Sequence, residues 1–224
     1  SVDTVDHVSP PVLKVSKLSS RFSIRSGVLG RVSGRVHAVE NISFTLKRGE
    51  TLSLVGESGC GKSTTGLSIL QLVTPVAGSV VLEGEEIAGL REDEMRAKRK
   101  RMQMIFQDPF ASLNPRMTVG TAIAEPMLLH KMASASEAPH RVSALLKRVG
   151  LSSSMATRYP HQLSGGQRQR ICIARALAVE PSVIVADESV SALDVSVKAQ
   201  VVNLLLELQE SLRLSYLFIS HDMA

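Results

Sequence analysis

The sequence predicts an α/β fold, with a mainly parallel sheet covered on both faces, an antiparallel β subdomain toward the N-terminus, and a helical subdomain inserted between about 110 and 160. Three observations predict it. Short apolar strands such as "TLSLVG", "SVIVA" and "SYLFIS" alternate with stretches of helical periodicity. One of those, "VKAQVVNLLLELQESL", is strongly amphipathic. From Thr118 to Gly150 the pattern stays helical without an intervening strand.

The elements follow in order. "PPVLKVSKLS" opens on Pro10 and Pro11 and then alternates, as a first strand does. Residues 21–35, "RFSIRSGVLGRVSGR", are rich in Gly, Ser and Arg with little periodicity and are expected to form a mobile basic loop. "VHAVENISFTLKRGE" reads as a strand pair with a turn at Gly49, and "TLSLVG" as the next strand. A helix is expected from Lys62 to about Leu72, ending before Pro75. "SVVLEG" is a short strand closed by Gly84. "LREDEMRAKRKRM", charged on all sides, is expected to be a solvated surface helix. "MQMIF" reads as a strand and "QDPFASLNPRM" as a loop marked by Pro and Asn. "HRVSALLKRVG" ends in basic residues and a glycine, as a helix C-terminus does. "SVIVA" is a buried strand and "SYLFIS" a final one, and there are no internal repeats.

At 224 residues the chain can bury a sizeable core, and residues 1–224 are read as a single domain. A composition of 44% hydrophobic and 21% charged residues is ordinarily globular and argues against a disordered chain. A formal charge of +5 suits an anionic ligand or a membrane surface without requiring either. With 3% aromatic residues there is no stacking platform for nucleic acid. The 2 cysteines, Cys60 and Cys172, make no disulfide framework and point to a reducing compartment. No apolar run approaches about 18 residues, so no spanning helix is expected, and no signal-peptide pattern opens the chain. The first residue is Ser, and "HDMA" follows directly on a strand-like run, so both ends are expected to be cut.

"GESGCGKST" matches the pattern G-x-x-x-x-G-K-[ST] from Gly56 to Ser63, after an apolar strand and at the start of a helix. Gly56, Gly59 and Gly61 let successive amides turn inward around phosphate oxygens. Lys62 supplies a point charge to the β and γ phosphates, and the Ser63 hydroxyl is a ligand for Mg2+. The plainer alternative, a glycine-rich turn with a surface lysine, leaves the strand–loop–helix context unexplained. Cys60 lies among those amides, where a helix N-terminus lowers a thiol pKa. It is either oxidisable or simply fills an unspecific loop position.

"VIVADE" ends a buried strand on Asp187 and Glu188. Beside a phosphate loop the first acid holds Mg2+ and completes the shell begun by Ser63, while the second faces the attacking side of the γ phosphate. Capping of the next helix is the alternative. "LSGGQRQR" poses a separate question. Ser164 and Gln167 have capping-box spacing, yet Gly165 and Gly166 occupy the first turn, each costing about 1 kcal/mol against alanine in a helix. On spacing alone the motif is either a simple cap or an anion site.

With "GESGCGKS", "LSGGQ" and "VADE" in this order, the chain resembles an ATP-binding cassette (ABC) ATPase, a P-loop NTPase. Gln107 in "IFQDP" matches the family's Q-loop, Asp194 in "SALD" its D-loop, and His221 in "ISHD" its switch histidine. The likeness covers nearly the whole chain. "QDPFASLNPRMTVG", "YPHQLSGGQRQRICIARALA" and "ALDVSVKAQVVNLLLELQ" are similar to the dipeptide/oligopeptide importer branch, and within it to the C-terminal cassette of two-cassette glutathione importer ATPases.

The resemblance implies that two cassettes pair head to tail, as a homodimer or in tandem, with each signature closing on ATP in the other's P-loop. Ser164, Gly165, Gly166, Gln167 and Asp194 then meet the partner's nucleotide. Gly56, Glu57, Ser58, Gly59, Cys60, Gly61, Lys62, Ser63 and Thr64 hold this chain's own ATP, and Phe22 is the best match for the aromatic that stacks on adenine. Ser63, Gln107 and Asp187 arrange Mg2+, Glu188 orients and deprotonates water, and His221 steadies the γ phosphate. Permease subunits would dock near Gln107, a periplasmic solute-binding protein would act indirectly, and the chain would sit peripherally on the cytoplasmic face of a bacterial inner membrane. Two departures stand out. Ser189 follows Glu188 where the family usually has Pro, and the chain stops 3 residues after His221 where the family adds strands and helices. A soluble, translation-associated cassette pair and a non-hydrolysing regulatory cassette remain the alternatives. A chromosome-maintenance type would need a long coiled coil, and only about a hundred residues, without sustained heptads, separate Lys62 from Ser164.

Overall fold

The computed structural model describes residues 10–26, 31–55, 62–70, 75–105, 109–187 and 195–220, with side chains described except at 21–26, 31–40, 62–65, 109–110 and 220. Among the described residues the chain forms two sheets. Strands β1 (Leu13–Ser26) and β2 (Arg31–Leu46) make a long antiparallel pair. β4 (Ala77–Leu82) adds to the other side of β1, and the two-residue β5 (Glu85–Glu86) closes the sheet in the order β2-β1-β4-β5. The second sheet is parallel, in the order β3 (Thr51–Val55), β8 (Ser215–Ser220), β7 (Val183–Asp187), β6 (Met102–Ile105).

The expected loop at 21–35 is not what forms at its described positions. Residues 21–26 and 31–35 are strand, with Phe22 opposite Val36, Ile24 opposite Gly34 and Ser26 opposite Arg31. A two-stranded ladder is held by main-chain bonds and needs no apolar alternation, so the polar sequence concealed it. The expected strand pair at 36–46 is instead part of one strand, β2, which pairs with β1 as far as Leu46. The chain then turns at Gly49, whose φ of +74° suits a residue without Cβ.

Helix α1 (Lys62–Ile69) follows β3, α2 (Glu92–Arg99) precedes β6, and α3 (Pro109–Ser112) lies inside the expected Pro/Asn loop. The inserted helices are α4 (Val119–Leu129) and α5 (Ala138–Arg148), followed by single 3-10 turns at Ser153–Thr157 and Pro160–Gln162. α6 (Gly165–Leu177) leads to β7, and α7 (Val195–Leu212) to β8. α2 is not solvated all round: Met95, 1% exposed, anchors it to the core.

β7 is buried at every position, which explains its unbroken apolar run. Alternation then divides the interior in two. Val183 and Val185, with Leu217 and Ile219, face α1 and the antiparallel sheet. Ile184 and Tyr216 face α6, α7 and the inserted helices. α1 lies close on the sheet because of Gly66, where a Cβ would stand 2.8 Å from Ile219 Cδ1 and 3.2 Å from Val185 Cγ1. Glu83 ties the two sheets together. Its carboxylate accepts from Arg48 at 3.0 Å, from Arg101 at 2.8 and 2.9 Å, and from the Ser182 hydroxyl at 2.7 Å. The Arg101 hydrogen bond in first place holds its pKa down at about 2.

Candidate active site

The parallel strands end in a row. Register sets Ile105 beside Ala186, Asp187 beside Ile219, and Val55 beside Ser220. The carboxyl ends of β6, β7, β8 and β3 therefore share one edge of the sheet, where open α/β sheets bind ligands. Each motif segment follows one of those ends in sequence: Gly56, Glu57, Ser58, Gly59, Cys60 and Gly61 after β3, Gln107 after β6, Glu188 and Asp194 after β7, and His221 after β8. These residues lie outside the described ones. For Lys62, Ser63 and Thr64 the structure describes the main chain, which forms the first turn of α1. Gly66, one turn further on, sits at the level of Val185 and Ile219, so the N-terminus of α1 with its unpaired amides reaches the same edge. Phe22 is placed by its main chain in β1, opposite Val36.

Asp187 is the described acid at this edge. It is 7% exposed, and its Oδ1 is buried without a hydrogen-bond partner. An orphaned carboxylate oxygen at the end of an otherwise apolar strand is costly by itself. It fits the needs of a hard divalent cation, which takes oxygen ligands and keeps several waters. Among the described residues no group of three or more His, Cys, Asp and Glu side chains gathers to hold a metal alone. The remaining ligands expected for Mg2+, Ser63 and Gln107, lie outside the described side chains.

The start of α6 forms as its spacing predicts. Ser164 Oγ accepts from the Gln167 amide at 3.2 Å, and Gln167 Oε1 accepts from the Ser164 amide at 3.0 Å. Both groups of the box accept, so the exposed Ser164 hydroxyl keeps its own proton to donate outward. Gly166 has a reason for lacking a side chain that the sequence did not reveal. A Cβ there would stand 2.6 Å from Val197 Cγ1, in the first turn of α7 of the same chain.

Sequence reasoning also missed how α6 is held. Arg168 Nε donates to Pro160 O, Arg170 Nη1 to Val149 O, and Arg175 Nη1 to Ser112 O, each at 2.7 Å. The last two satisfy carbonyls at the C-terminal ends of α5 and α3, where a cation is favoured. Their signal was present in "QRQRICIAR", three arginines on an otherwise buried helix, but carbonyl acceptors leave no mark in sequence.

The chain is similar to known proteins in sequence and in fold. The profile of the ABC transporter family matches residues 39–191. Glutathione import ATP-binding protein GsiA of Pectobacterium atrosepticum is 58% identical over 222 residues, covering 99% of this chain and 36% of that protein. The protein of the same name from Escherichia coli K12 is 57% identical over 214 residues, 96% of this chain and 34% of that one. The chain thus spans about a third of the length of the curated relatives it matches. Among solved structures, the ATP-binding cassette MJ0796 in a dimeric post-hydrolysis state bound to ADP and Pi superposes with a TM-score of 0.81 at 30% identity, covering 94% of this chain and 88% of that one. CbiO1 from Clostridium perfringens, part of the ABC transporter complex cbiONQ, gives 0.78 at 27% identity, over 95% of this chain and 79% of that one.

Proposed function

The chain belongs to the ABC transporter family, and from that premise we propose that it is the ATP-hydrolysing cassette of a bacterial importer for peptides or glutathione. One observation carries the reading: the register that brings the ends of β3, β6, β7 and β8 into one row, from which phosphate loop, Gln107, acid pair and His221 all depart. The orphaned Asp187 oxygen and the glycine-rich start of α6 support it from either side.

In this reading residues 1–224 act as one cassette. Lys62 and the amides of residues 59–64 neutralise phosphate charge at the N-terminus of α1. Ser63, Gln107 and Asp187 would hold Mg2+, which when bound supplies charge compensation on the phosphate oxygens. Glu188 takes the proton of the attacking water, His221 steadies the γ phosphate, and no covalent intermediate forms. Ser164 and Gly165 contribute to the site of a second cassette, related head to tail, whose own signature completes this one. The relatives are named for glutathione import, and the solved neighbours include a dimeric cassette. Permease subunits, a solute-binding protein acting through them, and a peripheral place on the cytoplasmic face of the inner membrane follow from the same reading. Among the described residues no helix is long and apolar enough to cross a membrane.

The test is MgATP turnover by the chain and by its Glu188→Gln variant. ATP binding retained with turnover lost is expected; equal turnover in the two would remove Glu188 from its role.

A further inference from the structure

Away from the strand ends, α5 presents two guanidinium groups to an apolar cleft. Arg141, Leu145 and Arg148 recur at four and seven residues, so they share one face of that helix. They form one wall of a cavity of about 440 Å3. The facing wall comes from Leu177 and Glu180 around the end of α6 and from Leu212 at the end of α7.

The fold itself gives these charges little to do. Among the described residues neither guanidinium enters an ion pair. The Glu137 carboxylate, one turn before Arg141, accepts instead from the Ser134 amide and hydroxyl, each at 2.8 Å, and feels Arg141 only at longer range. Arg148 is not needed as a cap for α5. Leu145, Leu146 and Lys147 carbonyls accept from the amides of Val149, Leu151 and Gly150, and the Val149 carbonyl accepts from Arg170. Glu180 stands in a left-handed turn, φ +52°, with the charge of Arg101 within its reach but no ion pair among the described residues.

Two guanidiniums on one wall, a carboxylate on the other and leucines between them call for a ligand with two carboxylates, an ammonium and a small apolar middle. Seven residues of helix set Arg141 and Arg148 about 10 Å apart along the axis. An extended tripeptide spans about 10 Å as well. The cavity volume lies in the range of small-molecule sites. We propose that this cavity binds a short acidic peptide with a free ammonium, its carboxylates on Arg141 and Arg148, its ammonium on Glu180 and its middle against Leu145 and Leu177. Such a peptide belongs to the solute class the cassette would help deliver, so the choice of ligand rests on the importer reading above. Bound there, it bridges the inserted helix α5 to the ends of α6 and α7.

The test is calorimetric titration of reduced glutathione, as the probe, into the nucleotide-free chain. Saturable binding that raises the melting temperature is expected. Arg148→Gln and Glu180→Gln should each weaken it by about fivefold or more, while the unliganded variants melt with the wild type. Arg148→Lys, which keeps the charge and loses the fork, should weaken it less than Arg148→Gln. Suberate, a dicarboxylate without an ammonium, should bind about fivefold more weakly than glutathione or worse; equal binding overturns the peptide assignment. Absence of saturable binding, or binding that both Arg148 variants leave intact, overturns the proposal. A chain that binds the peptide and hydrolyses no ATP keeps this site and loses the importer reading. A chain that hydrolyses ATP and binds no peptide loses this inference alone.

Discussion

Val197 Cγ1 stands 2.6 Å from the point where a Cβ on Gly166 would lie, so the bare backbone of α6 is a seat for the first turn of α7. The glycine is required inside the chain, before any second cassette is considered. Gly166→Ala is expected to lower stability by about 1–3 kcal/mol through overpacking. Val197→Ala in the same chain should restore most of that loss, as urea unfolding of the single and double variants would register. Gly165→Ala provides the contrast. At the first helical position alanine is a better helix former, so melting should hold or rise while turnover falls.

Ser164→Ala removes the acceptor of the Gln167 amide. A cap of this kind contributes about 1 kcal/mol. The variant should show that loss on unfolding and a fall in turnover larger than the stability change explains, because the same hydroxyl is assigned to the partner's phosphate. A stability loss with unaltered turnover would leave Ser164 as a cap and nothing more.

Arg170→Met removes the guanidinium that donates to Val149 O at the end of α5. A hydrogen bond to a charged group in a partly buried setting is worth about 1.5–3 kcal/mol. Hydrogen exchange in Ala138–Arg148 should quicken relative to β7, since the inserted helices lose a tie to α6. Uniform exchange across both elements would contradict that assignment.

Glu83 fixes the direction of an acid transition. With Arg101 holding its folded-state pKa at about 2, below the ordinary 4.5, its contribution is present above pH 4.5 and is lost as pH falls toward 2. The carboxylate is 25% exposed. Solvent screening reduces the contribution to about 1–2 kcal/mol. Glu83→Gln should lower stability at neutral pH and flatten the acid limb in that window, read as urea midpoint against pH.

Much of this molecule was legible beforehand. β7 announced itself because a strand buried on both faces must be apolar throughout, and α6 because its cap obeys a local rule. The phosphate loop, the acid pair and the signature stand out as motifs because each demands fixed residue types at fixed spacing, and the described residues bear on them at Asp187 and at the cap of α6. The β1–β2 pairing across 21–35 was not readable, since main-chain ladders do not depend on side-chain pattern. Nor were the Arg170 and Arg175 bonds to carbonyls, the Glu83 tie between sheets, or the Gly166–Val197 contact. Each joins positions remote in sequence, and only the folded chain brings them together.

The most direct measurement is the structure of the Glu188→Gln chain saturated with MgATP. A head-to-tail pair is expected, with nucleotide on the P-loop at the carboxyl edge of the parallel sheet and the Ser164 hydroxyl and Gly165 amide of the other cassette on its γ phosphate. Nucleotide held by the P-loop while both signatures face solvent, or a pair joined through other surfaces, would contradict the account.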